Sequence, residues 1–148
     1  MGGGARKYGQ SQIMTNTLRL EIVTPEATVY SEPVEMVTLP AIEGQMGVLP
    51  QHVRLITQLV PGELTVRRDG RDEFLAVGEG LVEVTNNQVS IVTNMAVAVE
   101  SIDEAAAEEA RQRAAARLKE RLSTEEVASV NAALARSLAQ LNVKRRHR

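Results

Sequence analysis

Cysteine is absent from this chain of 148 residues, and its aromatic side chains are Tyr8, Tyr30 and Phe74 alone. Without Cys there are no disulfides, thiolate zinc sites or Cys nucleophiles, which agrees with a reducing compartment. The scarcity of aromatics counts against a sugar-binding or single-strand nucleic-acid platform, which needs exposed rings to stack on. Charge of one sign is also lacking. The formal net charge is -2, so no overall field steers the protein to nucleic acid or to a membrane surface. No apolar run approaches the roughly 20 residues of a membrane span. The first residues, Met1 to Met14, contain no apolar stretch of the secretory kind. Gly2-Gly3-Gly4 followed by Arg6-Lys7 reads instead as a flexible extension over residues 1–16, with Met14 a candidate natural start.

Glycine and proline are missing from one half of the chain. All 10 Gly and all 5 Pro lie at or before residue 80. Up to about residue 100 the apolar pattern has period two, as half-buried strands require. Leu18, Leu20 and Ile22 alternate with Arg19 and Glu21. Val34, Met36 and Thr38 alternate with Glu35 and Val37, and Leu64 and Val66 flank Thr65. Arg68-Asp69-Gly70-Arg71 reads as a hairpin turn, because Asp-Gly tolerates positive φ. Asn86-Asn87 is a second turn signal, between Leu81–Val84 and Val89–Val92. Met95–Val99 can supply a last strand. Short strands at this spacing predict an antiparallel sandwich or barrel over residues 17–100.

From Asp103 the pattern becomes helical. Residues 103–148 contain 12 Ala. Ala106, Ala110, Ala114, Leu118 and Leu122 recur at every fourth position and predict one helix with a single apolar stripe. Ser123-Thr124-Glu125-Glu126 fits a capping box opening a second helix, whose apolar positions are Val127, Val130, Leu134, Leu138 and Leu141. The fold class is therefore α+β: an N-terminal antiparallel β-sandwich, then a two-helix hairpin over residues 101–148 with a basic tail. Residues 1–102 carry 7 basic and 12 acidic side chains, and residues 103–148 carry 10 and 7, so the halves differ in sign at -5 and +3.

No catalytic constellation emerges. His52 and His147 are the only histidines. His147 falls in a basic run, where a solvated role is expected. His52 follows Pro50 and reads as a hydrogen-bonded loop or interface histidine before it reads as a general base. Nothing has the spacing of a triad or a metal site. Gly78-Glu79-Gly80 lacks the Lys-Ser/Thr of a phosphate loop and reads as turn glycines. Glu43–His52 reads as a stiff, partly apolar loop between Pro40 and Pro50, either packed inward or presented to a partner. Lys144-Arg145-Arg146-His147-Arg148 is either a solvated end or a docking end for an acidic surface.

Thr38-Leu39-Pro40-Ala41-Ile42-Glu43-Gly44-Gln45-Met46-Gly47-Val48-Leu49-Pro50-Gln51-His52 resembles the signature of ATP synthase epsilon subunits, called delta in mitochondria. Leu20–Pro25, Phe74–Gly80 and Leu134–Val143 fit the same family, so the resemblance runs in register from about Leu18 to Val143. It implies a β-sandwich with a helical hairpin and no active site of its own. It implies a central-stalk rotor subunit of an F-type, proton-translocating ATP synthase, peripheral to the cytoplasmic face of the inner (plasma) membrane. The implied partners are the gamma subunit, the ring of c-subunits and the alpha/beta catalytic subunits, with no cofactor and no nucleic acid. Glu43, Gly44, Gln45, Met46, Gly47, Val48 and Leu49 correspond to the family's c-ring-facing loop, and His52 to its gamma-facing region. The hairpin of bacterial members can rise from the sandwich, insert among the catalytic subunits and block ATP hydrolysis. Arg136, Lys144, Arg145, Arg146 and Arg148 would then meet an acidic segment. Some members also bind ATP through a hairpin motif that here begins at Ile102 and Asp103. Ala106 stands where the motif has its Arg, so nucleotide binding is expected to be weak or absent even with help from Arg136. A rival reading is a stand-alone β-sandwich binding module with a structural hairpin.

Overall fold

The computed structural model describes residues 16–148, so the N-terminal extension lies almost wholly outside the described residues. Ten strands come first: β1 (Leu18–Val23), β2 (Thr28–Val34), β3 (Met36–Ala41), β4 (Gly44–Val48), β5 (Leu55–Leu59), β6 (Gly62–Arg68), β7 (Arg71–Val77), β8 (Gly80–Val84), β9 (Gln88–Thr93) and β10 (Ala96–Ala98). A 3-10 turn (Val99–Ser101) leads into helices α1 (Glu104–Arg117) and α2 (Thr124–Arg146).

The strands form one folded sheet of order β10-β7-β6-β3-β5-β8-β9-β1-β2, with β4 on the other edge of β3. The fold of the sheet occurs at β3. Met36–Thr38 pair with β6, whereas Ala41 pairs with Leu59 of β5. The two layers so formed enclose Leu20, Ile22, Val37, Leu39, Leu59, Leu64 and Ile91, all essentially without solvent contact. β1 runs parallel to β9 and antiparallel to β2.

Most strands follow the sequence pattern. Leu64 and Val66 face the core, and the hairpin between β6 and β7 turns at Asp69 (φ 54°) and Gly70 (φ 72°), the doubly positive geometry that Asp-Gly suits. One phase differs. Glu35 is a bend between β2 and β3, and beyond it Val37 and Leu39 face inward while Met36 and Thr38 are only half-buried. The extra residue at the bend flips every following side chain to the other face.

The helical hairpin also departs from expectation at one end. α1 stops at Arg117, and Leu118 caps it with its N–H on the Ala114 and Ala116 carbonyls. The strong cap of α2 explains this. The Ser123 side chain accepts from the Glu126 N–H while the Glu126 carboxylate accepts from the Ser123 N–H. The residues just before it must therefore reverse the chain, so Leu122 lies in the joint rather than on α1. Ala107 and Ala114 are buried on α1, and Ala106 is exposed. On α2, Val130 and Leu141 are buried, Leu134 is half-buried, and Val127 and Leu138 remain exposed.

The hairpin docks on the sandwich through α2, which packs on β6 and β7, while α1 packs on α2. The apolar seam is small: Ala76, Ile102 and Val143, flanked by Phe74, Met95, Val97 and Val99.

Two expectations follow. Gly80 leaves no room for a side chain: a Cβ there would lie 1.9 Å from the Val92 carbonyl oxygen and 2.8 Å from the Thr93 Cα. Both obstacles are backbone, so Gly80→Ala should lower stability by about 2 kcal/mol, seen as a lower Tm; an unchanged Tm would contradict the close approach. The second expectation concerns acid. Glu126 is held below the usual carboxylate range by hydrogen bonds from Ser123, chiefly its backbone N–H. Hydrogen bonds from Arg145 and Arg111, respectively, do the same for Glu104 and Glu108. A depressed folded pKa contributes stability that is complete above the unfolded value of about 4.3 and lost as pH falls through the folded one. Helical circular dichroism should therefore decline below about pH 4 while the sheet persists; a decline already complete at pH 6 would rule these carboxylates out.

Candidate functional site

The Glu43–His52 segment is a strand hairpin followed by a connection, not a loop. β4 pairs with β3 in register from Ala41↔Gly44 to Val37↔Val48. The turn at Ile42 and Glu43 is closed by Gly44 at φ +122°, a conformation that favours glycine. Gly44 and Gly47 fall on opposite faces of the strand and carry no side chain to mark either, which hid its period in the sequence. The two readings of the segment divide by residue. Val48 is fully buried and Met46 packs against the core. Glu43, Gly44, Gln45, Gly47 and Leu49 are exposed. The expected c-ring contact at Val48 is thus corrected: its side chain belongs to the core.

The tip is firmly positioned. Ile42 N–H donates to the Gln58 carbonyl at 3.0 Å, and the Glu43 carboxylate accepts from the Thr57 hydroxyl at 2.9 Å. Ile42 itself is 57% exposed. His52 lies at the other end of β4, about 15 Å from the tip at the usual rise per residue. Its Nδ1 is 2.8 Å from the Val53 carbonyl oxygen and no carboxylate orients the ring, so it is a hydrogen-bonded loop histidine. Beside it, Gln51 has φ 64°, a left-handed conformation uncommon outside glycine.

The sequence reading missed an apolar face. Ile56, Leu81 and Val92 are 71%, 57% and 61% exposed. Leu81 pairs directly with Val92, and Ile56 is diagonal to Leu81, since Gln58 pairs with Leu81. Val23 continues the row by pairing with Val92. Val53, 77% exposed, lies just before β5. The signal was present: Leu55-Ile56, Leu81-Val82 and Ile91-Val92 are adjacent apolar pairs, and a strand apolar on both faces is one whose outer face is also covered.

The basic tail is ion-paired within the chain, while Arg145, Arg146 and Arg148 stay exposed. Lys144 Nζ donates to the Val99 carbonyl at 3.1 Å. Arg145 and Arg148 donate to opposite oxygens of Glu104, at 3.0 and 2.9 Å. Arg146 and His147 meet opposite oxygens of Glu63, at 3.4 and 2.8 Å. The His147 ring stacks on Phe74 with centroids 3.7 Å apart and planes inclined by 14°.

The residues considered for nucleotide are occupied elsewhere and do not converge. Ile102 is buried in the seam. Asp103 caps α1 by accepting from the Ala106 N–H at 3.1 Å. Arg136 lays its stem near Gly78, while Val143, which packs with Ile102, is about 10 Å further along α2 by helical rise. Among the described residues no group of three or more His, Cys, Asp or Glu could hold a metal, and no helix is long and apolar enough to cross a membrane.

Comparison with known proteins matches both halves of the chain. Residues 17–99 match the family described as "ATP synthase, Delta/Epsilon chain, beta-sandwich domain", and residues 100–145 the "long alpha-helix domain" of the same chain. The ATP synthase epsilon chain of Herpetosiphon aurantiacus is 41% identical over 88% of this chain and 96% of its own. That of Halorhodospira halophila is 41% identical over 85% and 91%. Among solved structures, a chain of the Euglena gracilis mitochondrial ATP synthase, seen with OSCP, F1 and the c-ring, is similar at a TM-score of 0.70 and 27% identity, covering 86% of this chain and 80% of that one. The chain therefore belongs to the ATP synthase delta/epsilon family, as an epsilon subunit with its β-sandwich and helical hairpin.

Proposed function

We propose that this subunit is a non-catalytic part of the rotor, joining gamma to the c-ring so that proton flow and ATP synthesis are coupled. The observation that carries this reading is the apolar face of Ile56, Leu81 and Val92, exposed on a sheet whose other face is already a complete core. A face of that kind is suited to cover by a partner. We assign it to gamma, with His52 and Val53 at its margin. The β3–β4 hairpin, with Glu43, Gly44 and Gln45 exposed at its tip and Gly47 and Leu49 exposed further along, is assigned to the c-ring. The complex would hold the subunit peripherally at the cytoplasmic face of the membrane. The division into a sandwich over residues 17–100 and a hairpin over 101–148 would separate coupling from regulation. No nucleotide role is assigned to the hairpin, since Asp103 serves as a cap.

The stand-alone binding module remains the rival, and copurification separates the two. Leu81→Asp combined with Ile56→Asp should abolish recovery of gamma with the subunit while leaving the sandwich folded, because both side chains are outward. Undiminished recovery of gamma would remove this face from the reading, and no gamma with the unaltered chain would favour the rival.

The hairpin is proposed to inhibit hydrolysis by detaching and inserting among the catalytic subunits. Its small seam on the sandwich supports this, since only Ile102 and Val143 of the hairpin are buried in it, each contributing about 1.5–3 kcal/mol. Removal of residues 100–148 should raise ATP hydrolysis by the assembled complex several-fold; an unchanged rate would refute the inhibitory role.

A further inference from the structure

The four residues that end the chain connect three bodies. Glu63 projects from β6 of the sandwich with its side chain 14% exposed, and both its oxygens are taken by Arg146 and His147. Glu104 opens α1, and both its oxygens are taken by Arg145 and Arg148. The tail itself is the last turn of α2 and its C-cap. Sandwich, α1 and α2 thus meet at two carboxylates, each with its two oxygens shared between two donors. Isolated surface ion pairs contribute little, but fully occupied carboxylates in a connected set are the exception. The stack of His147 on Phe74 fixes the tail in direction as well as in charge.

We propose that residues 145–148 are a latch: Arg146 and His147 clamp the hairpin to the sandwich through Glu63, Arg145 and Arg148 brace the same turn on α1 through Glu104, and these basic groups become available to an acidic surface only when both carboxylates release them. The small apolar seam leaves the docked state dependent on this clamp. Docking and engagement of an acidic surface then exclude one another, because both use the same basic groups. That mutual exclusion rests on the inhibitory insertion proposed above, whereas the latch itself is a property of the isolated chain.

Hydrogen exchange of the isolated full chain tests the latch without the complex. The probes are mid-α2 amides, Val130 to Gln140. Fraying of the last turn would not reach them, whereas an undocked helix opens readily. Glu63→Gln and a chain ending at Lys144 should each speed their exchange by about fivefold. Glu63→Gln should add nothing once residues 145–148 are gone. Equal acceleration by Glu63→Gln with and without the tail would overturn the latch, as would no acceleration by either change. If Glu63→Gln also speeds exchange in β8 and β9, the sheet is damaged, and Arg146→Gln combined with His147→Gln replaces it: acceleration matching the chain that ends at Lys144 supports the latch, and none overturns it. Hydrolysis by the complex then stands as a separate readout. A working latch with unaltered hydrolysis on truncation would remove the inhibitory reading and leave the latch intact.

Discussion

The contact between α2 and the β6–β7 face decides what this molecule can do. The sandwich is complete without it: its core residues come from strands on both layers, and the hairpin contributes none of them. What joins the halves is a short apolar seam around Val143, together with a set of charge-assisted hydrogen bonds at the chain end. Such a contact can be lost as a unit, because the sandwich core does not draw on the hairpin. A larger seam would have turned the protein into one rigid body.

The sandwich divides its surface along different lines. Its outward positions on β5, β8 and β9 include the exposed apolar residues Ile56, Leu81 and Val92 beside Gln58 and Glu83, whereas the hairpin half ends in a basic run. The two surfaces suit different relationships with a partner. An apolar sheet face favours a lasting association, in which burial is the driving force. A cationic chain end favours an association that ionic conditions and competing acids can tune.

Much of this could be read from the sequence, and the exceptions have physical causes. Strand period, the Asp69-Gly70 turn and the Ser123–Glu126 capping box are local signals, and each appears where the pattern placed it. The Glu35 bend reversed the inward phase of β3, since one extra residue exchanges the two faces of a strand. β4 lacks a legible period because Gly44 and Gly47 leave a position without a side chain on each of its faces. Ala106 and Ala107 could not be told apart by a four-residue spacing, since only packing against α2 selects the face. The candidate site was half legible. The Glu43–Leu49 segment was singled out, but Ile56, Leu81 and Val92 come from three separated stretches that only the register unites. The partners of the basic tail were illegible for the same reason, Glu63 being more than 80 positions away along the chain.

The parallel pairing of β1 with β9 bears on how the molecule is made. Arg19 lies opposite Gln88 and Val23 opposite Val92, so the first described strand finds this neighbour only when nearly the whole sandwich has been synthesised. Closure of such a distant pair is the slow part of β-sheet assembly. The helices follow immediately in the chain, and each has its own local stop and start signals. During translation the hairpin thus emerges after every strand of the sandwich. The order of the two halves along the polypeptide makes docking a late event in the life of every copy.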